Sequence, residues 1–165
     1  MISEIKTLET KILKPLNLAI SDIIQDLECE DYFGFNIKIN QLNIKFRKAK
    51  ITPNKIGKFV TLWKRNLIGE TEPFNINDDF HFYIIASTEN EKSGFFLFPK
   101  FTLENHQILT NEKKLGKRGF RVYTNWDYPD SKQALKSKIW QSEYFIDLEN
   151  NLKENIKKFK NILFY

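Results

Sequence analysis

Between Tyr32 and Gly69 the chain carries Lys38, Lys45, Arg47, Lys48, Lys50, Lys55, Lys58, Lys64 and Arg65, and neither Asp nor Glu. Charged residues make up 28% of the chain, so a stretch of this length without an acid is uncommon. Ammonium and guanidinium groups with no local carboxylate are suited to binding anions, phosphate above all, through charge-assisted hydrogen bonds. A second cationic group, Lys113, Lys114, Lys117, Arg118 and Arg121, gathers around Gly116 and Gly119. Other reactive chemistry is thinly supplied. His81 and His106 are the only histidines, Cys29 is the only cysteine, and there is no glycine-rich phosphate loop, Gly-x-Ser-x-Gly elbow or His-x₃-His pair.

These side chains need elements to hold them. Leu42, Ile44 and Phe46 alternate with Asn43, Lys45 and Arg47, which predicts a strand with one apolar and one cationic face. Thr52 as N-cap and Pro53 at the first helical position then predict a helix, with Ile56, Phe59, Val60 and Trp63 as its apolar stripe and Lys55, Lys58 and Arg65 off it. Lys48 and Lys50 share the parity of Ile44 and Phe46. Either both turn toward the core and need a carboxylate or a ligand, or the strand bulges or ends and both reach solvent.

The remaining segments supply a core. With 165 residues, 41% hydrophobic and 15% aromatic, the chain suits one domain spanning 1–165. Net charge is +5 and the pI is about 9.1, which fits an anionic partner. A lone cysteine excludes an internal disulfide framework and a cysteine-rich zinc site. No apolar run is long enough to span a bilayer or to serve as a secretory signal, so the expected location is the cytoplasm, with no membrane partner.

Ile5, Leu8 and Ile12 predict a short helix broken at Pro15. Leu16, Ala19, Ile20, Ile23, Ile24 and Leu27 predict a second helix ending near Cys29. Phe33 to Lys48 reads as a hairpin turning at Asn40-Gln41, and Phe80 to Ala86 as a strand covered on both faces. Phe95 to Phe98 follows as a strand, and Leu103 to Leu109 as a short strand or loop. Ser131 caps a helix with Leu135, Ile139, Trp140, Phe145 and Leu148 on its apolar side. Leu152, Ile156, Phe159 and Leu163 make a last amphipathic helix.

Several ordered pieces together resemble the MepB family of bacterial proteins. They are Phe46-Arg-Lys-Ala-Lys-Ile-Thr-Pro53 with Gly57, Phe59-Val60 and Trp63-Lys64-Arg65; Asp78-Asp79 before the apolar strand; Phe96-Leu-Phe-Pro-Lys100; Gly116-Lys-Arg-Gly-Phe-Arg-Val-Tyr123 with Trp126-Asp127; and Trp140-Gln141 with Tyr144-Phe145. The resemblance runs from about residue 32 to 148. It implies an α/β (α+β) fold, a mixed sheet flanked by helices, similar to the PD-(D/E)XK restriction endonucleases. Such enzymes hold Mg²⁺ with carboxylates and place a lysine beside the attacking water. In this sequence Lys48-Ala49-Lys50 keeps the lysine but has Lys48 where the acid belongs. Asp78 or Asp79 with Phe98-Pro99-Lys100 lacks that acid as well. Lys50, Asp78, Asp79 and Glu143 are the candidate catalytic residues if an acid has migrated, with Glu28, Glu30 and Asp31 as further sources, and Mg²⁺ the cofactor if the chain cleaves.

The expected function is nucleic-acid binding on an endonuclease-like scaffold, with DNA favoured over RNA. Lys45, Arg47, Lys48, Lys55, Lys58, Lys64 and Arg65 would contact phosphates, Lys117, Arg118 and Arg121 would form a second rail, and Trp126 or Tyr123 would stack on a base. The alternatives are an Mg²⁺-dependent nuclease and a regulatory module that binds an acidic protein.

Overall fold

The computed structural model describes residues 2–165. Its centre is a six-stranded mixed sheet of order β1-β2-β3-β8-β9-β11. The strands are β1 (Ile20–Gln25), β2 (Phe35–Ile39), β3 (Leu42–Lys48), β8 (Phe82–Glu89), β9 (Lys92–Pro99) and β11 (Phe145–Asp147). β3 and β8 run parallel and the other neighbours antiparallel. The crossover between β3 and β8 supplies four strands to two small sheets, and the chain after β9 adds a fifth. One sheet, of order β10-β5-β4, joins Gly119–Val122, Lys58–Thr61 and Lys50–Ile51; the other pairs β6 (Trp63–Arg65) with β7 (Thr71–Pro73).

Alternation along β3 divides the core in two. Ile44 and Phe46 face the N-terminal helix and the C-terminal helix α4 (Leu152–Phe164). The N-terminal helix starts as α1 (Ser3–Thr7), widens to a π-turn over Leu8–Leu13 and closes as a 3₁₀ turn over Lys14–Leu16. It buries Ile5, Leu8, Ile12 and Leu13 completely. On the opposite face Tyr83, Ile85, Phe96 and Phe98 pack beneath the three-stranded sheet, α2 (Lys100–Asn105) and α3 (Lys132–Ser142). Each fully buried phenylalanine contributes roughly 1.5–3 kcal/mol. Ten of the 15 phenylalanines are buried, and four of these, Phe82, Phe95, Phe96 and Phe98, lie on β8 and β9 themselves.

The expected hairpin is present: β2 pairs β3 with Ile37 opposite Ile44, and Asn40 and Gln41 take positive φ of 48° and 68° at the turn. Ser131 caps α3 by accepting the Ala134 N–H at 3.1 Å, and α4 buries Phe159 and Leu163.

Two expected helices are strands. Residues 20–25 form an edge strand, because Asn17 turns left-handed after Leu16 and the Ile-rich segment pairs its backbone with β2. Ile24 and Leu27 are left 58% and 73% exposed instead of forming a stripe. Residues 52–65 do not form a capped helix. Asn54 and Gly57 take φ of 61° and 83°, which no helix admits, and burial then alternates: Lys58, Val60 and Leu62 face in while Phe59, Thr61 and Trp63 face out. Gly57 is required there, because a Cβ would lie 2.7 Å from the Tyr123 ring. Of Leu103 to Leu109, expected as a short strand or loop, Leu103 to Asn105 close the helix Lys100–Asn105 and the rest is turn and loop. α3 stops at Ser142, so Phe145 belongs to β11, and Leu135 and Ile139 face outward.

Candidate nucleic-acid interface

The three-stranded sheet decides which cations are available. It covers the β3 face that bears Lys45 and Arg47, so the side expected to meet phosphate is turned inward. Arg47 is fully buried, its guanidinium 2.6 Å from Asp26 and donating to the Phe46 carbonyl at 2.8 Å. Lys45 is half-buried, donates to Asn36 Oδ1 at 2.8 Å and lies over the Phe74 ring. Burial, with help from Arg47, pushes its pKa below the usual lysine value. Lys58 is 2% exposed, 3.4 Å from Glu89 and over Trp126. Lys64 binds Asp78 at 2.6 Å, with Glu72 at 3.7 Å. Arg47 and Lys58 are therefore structural cations rather than phosphate contacts, and Lys45 and Lys64 are committed within the fold.

Lys48 and Lys50 part company. Ala49 donates its N–H to the Ala86 carbonyl at 2.9 Å, and the chain there leaves the large sheet for the small one. Lys48 keeps the parity of Phe46 and finds Glu4 of α1 at 2.6 Å. Burial pushes the Glu4 carboxyl up, but the bond and charge of Lys48 hold it below its ordinary pKa. Lys50 is exposed, with its ammonium 4.7 Å from the centre of the Tyr32 ring.

The outer face of the small sheet is the cationic surface that remains. Lys50, Phe59 and Arg121 stand opposite one another across β4, β5 and β10. Arg121 lies over the Phe59 ring at 5.8 Å, steadied by Thr52 Oγ1 at 2.6 Å and the Gly57 carbonyl at 3.3 Å. In β6, which follows β5 and keeps the outward parity of Phe59 and Thr61, Arg65 lies over Trp63 at 5.3 Å. The face thus carries three cation–aromatic pairs: Lys50 with Tyr32, Arg121 with Phe59, and Arg65 with Trp63. A ring beneath a cation keeps it extended, and Arg65 is held further by donating to the Gly69 carbonyl at 2.9 Å. Lys55 is exposed on the loop before β5. Beside these pairs Tyr32, Thr61 and Trp63 line a 360 Å³ groove whose other wall is the turn bearing Glu28, Glu30 and Asp31.

The second cationic cluster is only partly on this face. Arg118 is exposed and clamps the Thr71 carbonyl at 2.8 Å. Lys117 is exposed on the loop that packs beside α3. Tyr123 is buried, and Trp126 is half-buried with its N–H on Glu89 at 3.2 Å, so neither is placed to stack on a base.

The four candidate catalytic residues do not form one site. Lys50 lies on the small sheet, and no hydrogen bond or ion pair joins it to Asp78, Asp79 or Glu143 among the described residues. Glu143 is exposed at the end of α3, where its charge acts on His106 and Lys158. Asp78 and Asp79 do meet Lys100, the partner of the second frame. Its ammonium donates to the Asp78 carbonyl and lies over Phe80, and burial lowers its pKa. The carboxylates there are otherwise engaged. Asp78 takes Lys64 and the Asn75 N–H at 2.6 Å each, and Asp79 takes Asn43 Nδ2 at 3.0 Å. Phe98, where the pattern needs an acid, is fully buried in the core. Among the described residues no three His, Cys, Asp or Glu side chains converge on a point that could hold a metal, so this donor set does not fit Mg²⁺.

The sequence reading missed the acids that neutralise the basic stretch, because Glu4, Asp26 and Glu89 reach it from outside. It also missed Phe59 and Trp63 as outward rings. The run Phe59-Val-Thr-Leu-Trp63, rich in β-branched and aromatic residues, was the signal, masked by Thr52-Pro53.

No helix among the described residues is long and apolar enough to cross a membrane. Comparison with the curated proteins finds no match. The solved crystal structure of MepB is similar to this chain at a TM-score of 0.79 and 28% identity, over 92% of this chain and 100% of that one. The MepB-like family profile matches residues 26–147, which hold the central sheet apart from its edge strand β1, the small sheets and α3. The chain belongs to the MepB-like family.

Proposed function

We propose that this chain binds single-stranded nucleic acid on the outer face of its three-stranded sheet. The observation that carries the reading is the set of cation–aromatic pairs, Lys50 over Tyr32, Arg121 over Phe59 and Arg65 over Trp63. Cations interleaved with rings suit a flexible strand, whose phosphates take the charge and whose unpaired bases take the rings. The acidic turn favours a single strand over a duplex. A rigid duplex laid on this face would press phosphates against Glu28, Glu30 and Asp31. A single strand can keep its phosphates along Lys50, Lys55 and Arg121 and turn base N–H donors to the carboxylates.

DNA is the favoured polymer and the cytoplasm the location that goes with this reading. The meeting of Asp78-Asp79 with Lys100 at one end of the β8–β9 hairpin supports an endonuclease-like ancestry. The phenylalanine at position 98 supports binding without cleavage.

The test is the salt dependence of binding to a single-stranded oligonucleotide, in the wild type and in a Lys50→Gln/Lys55→Gln/Arg65→Gln variant. All three residues are exposed, and the variant should stay folded. Each lost phosphate contact should make the log–log salt slope shallower by about 0.7. A variant that binds with unchanged affinity and slope would refute this face.

A further inference from the structure

A different face of the molecule combines aromatic and cationic groups with no acid in its lining. The end of α2, the outer side of α3 and the loop carrying Lys117 enclose a groove of about 450 Å³. Its walls include His106 and Trp140, whose rings stack at 3.9 Å between centroids and 8° between planes. Ile139, 66% exposed, extends that apolar wall along α3. Lys117 and Lys136 stand over it, both exposed and with no ion pair among the described residues, and Gln133 adds a neutral donor and acceptor.

Trp140 already packs against Phe98 in the core at 5.2 Å. His106 covers it from the solvent side while remaining exposed itself. Burial lowers the His106 pKa against the pull of Glu143, which favours the neutral ring that stacks well. α3 contributes Lys132, Lys136 and Lys138 and no acid, and the adjoining loop adds Lys113 and Lys114, exposed, to the one acid Glu112.

We infer that the groove between α2 and α3 is a binding site for a nucleoside phosphate, with the base on the His106–Trp140–Ile139 wall and the phosphate between Lys117 and Lys136. The apolar wall selects a planar ring, and the two ammonium groups select the phosphate joined to it through the sugar. The site shares no residue with the sheet face and stands or falls independently of it. The same chemistry can come from a free mononucleotide or from one nucleotide of a chain.

Calorimetric titration separates these sources. The probes are adenosine 5′-monophosphate, adenosine, ribose 5-phosphate, a single-stranded dodecamer and a poly-glutamate peptide. Each is titrated against the wild type, Lys117→Gln/Lys136→Gln, His106→Ala and the sheet-face variant Lys50→Gln/Lys55→Gln/Arg65→Gln. The proposal expects adenosine 5′-monophosphate to bind at least about tenfold more tightly than adenosine or ribose 5-phosphate, since stacking and charge each contribute on that order. Binding should fall about tenfold or more in Lys117→Gln/Lys136→Gln and His106→Ala and stay unchanged in the sheet-face variant. A dodecamer that alone binds, and loses affinity in the groove variants, identifies the chain as the source and also supports the site. No mononucleotide binding, together with dodecamer binding unaffected by the groove variants, overturns it. So does a poly-glutamate peptide that binds through Lys117 and Lys136 and is not displaced by the nucleotide.

Discussion

Arg47 and Asp26 meet at 2.6 Å beneath the small sheet, the guanidinium fully buried and the carboxylate 15% exposed. Asp26 lies in the segment between β1 and the 3₁₀ turn, and it also caps that turn by accepting the Glu28 N–H at 3.2 Å. A cation in the most basic stretch of the chain thus ties an edge segment to the central sheet. Removing one partner leaves the other buried without compensation. Asp26→Ala and Arg47→Ala should each cost about 3–5 kcal/mol in urea unfolding. Arg47→Met with Asp26→Leu should recover a large part of that loss. Losses below about 1 kcal/mol in both single variants would mean that the pair does not hold the segment.

The Glu4–Lys48 pair makes stability depend on pH. The folded Glu4 carboxyl titrates below its ordinary 4.5, so the unfolded chain binds its proton first as pH falls. The contribution is complete above that value and is lost as pH drops through the folded pKa. Lys48→Met should lower stability at neutral pH by about 1 kcal/mol and flatten the acid limb of the stability curve. Parallel acid limbs in the wild type and the variant would contradict this assignment.

The hairpin, the doubly covered strand, both terminal helices and the Ser131 cap were legible in the sequence, because each follows from local periodicity or turn chemistry. The region from 52 to 65 was not. Its apolar residues fit a helical stripe as well as an alternating strand, and Thr52-Pro53 is a good helix start. The choice was made by Gly57 and Asn54 at positive φ and by pairing with β10, some sixty residues on. The site was legible only as a pool of cations. Which of them reach solvent depended on Glu4, Asp26, Asp78 and Glu89, all distant in sequence from the lysines and arginines they engage.

Gly57 supplies a backbone test of that region. Its φ of 83° and the Tyr123 ring beneath it leave no room for a methyl group. Gly57→Ala should destabilise the fold by about 1–3 kcal/mol and loosen the loop that presents Lys55. A thermal midpoint equal to the wild type would show that the loop accepts another conformation.

The carboxylates near Lys100 predict structure rather than cleavage. Asp78 holds Lys64 and the Asn75 N–H, so Asp78→Asn should lower stability by about 1 kcal/mol. A labelled single-stranded oligonucleotide incubated with the wild type and Mg²⁺ should remain full length on a denaturing gel. Mg²⁺-dependent shortening that disappears in Asp78→Asn would restore the nuclease reading and displace the present one.

The most direct measurement is fluorescence anisotropy of labelled single- and double-stranded oligonucleotides of equal length across a salt series. The sheet face predicts tighter binding of the single strand, an affinity that falls steeply with salt, and a shallower slope in Lys50→Gln/Lys55→Gln/Arg65→Gln. No binding of either oligonucleotide at low salt would contradict the central claim and leave the exposed cations to an acidic protein partner.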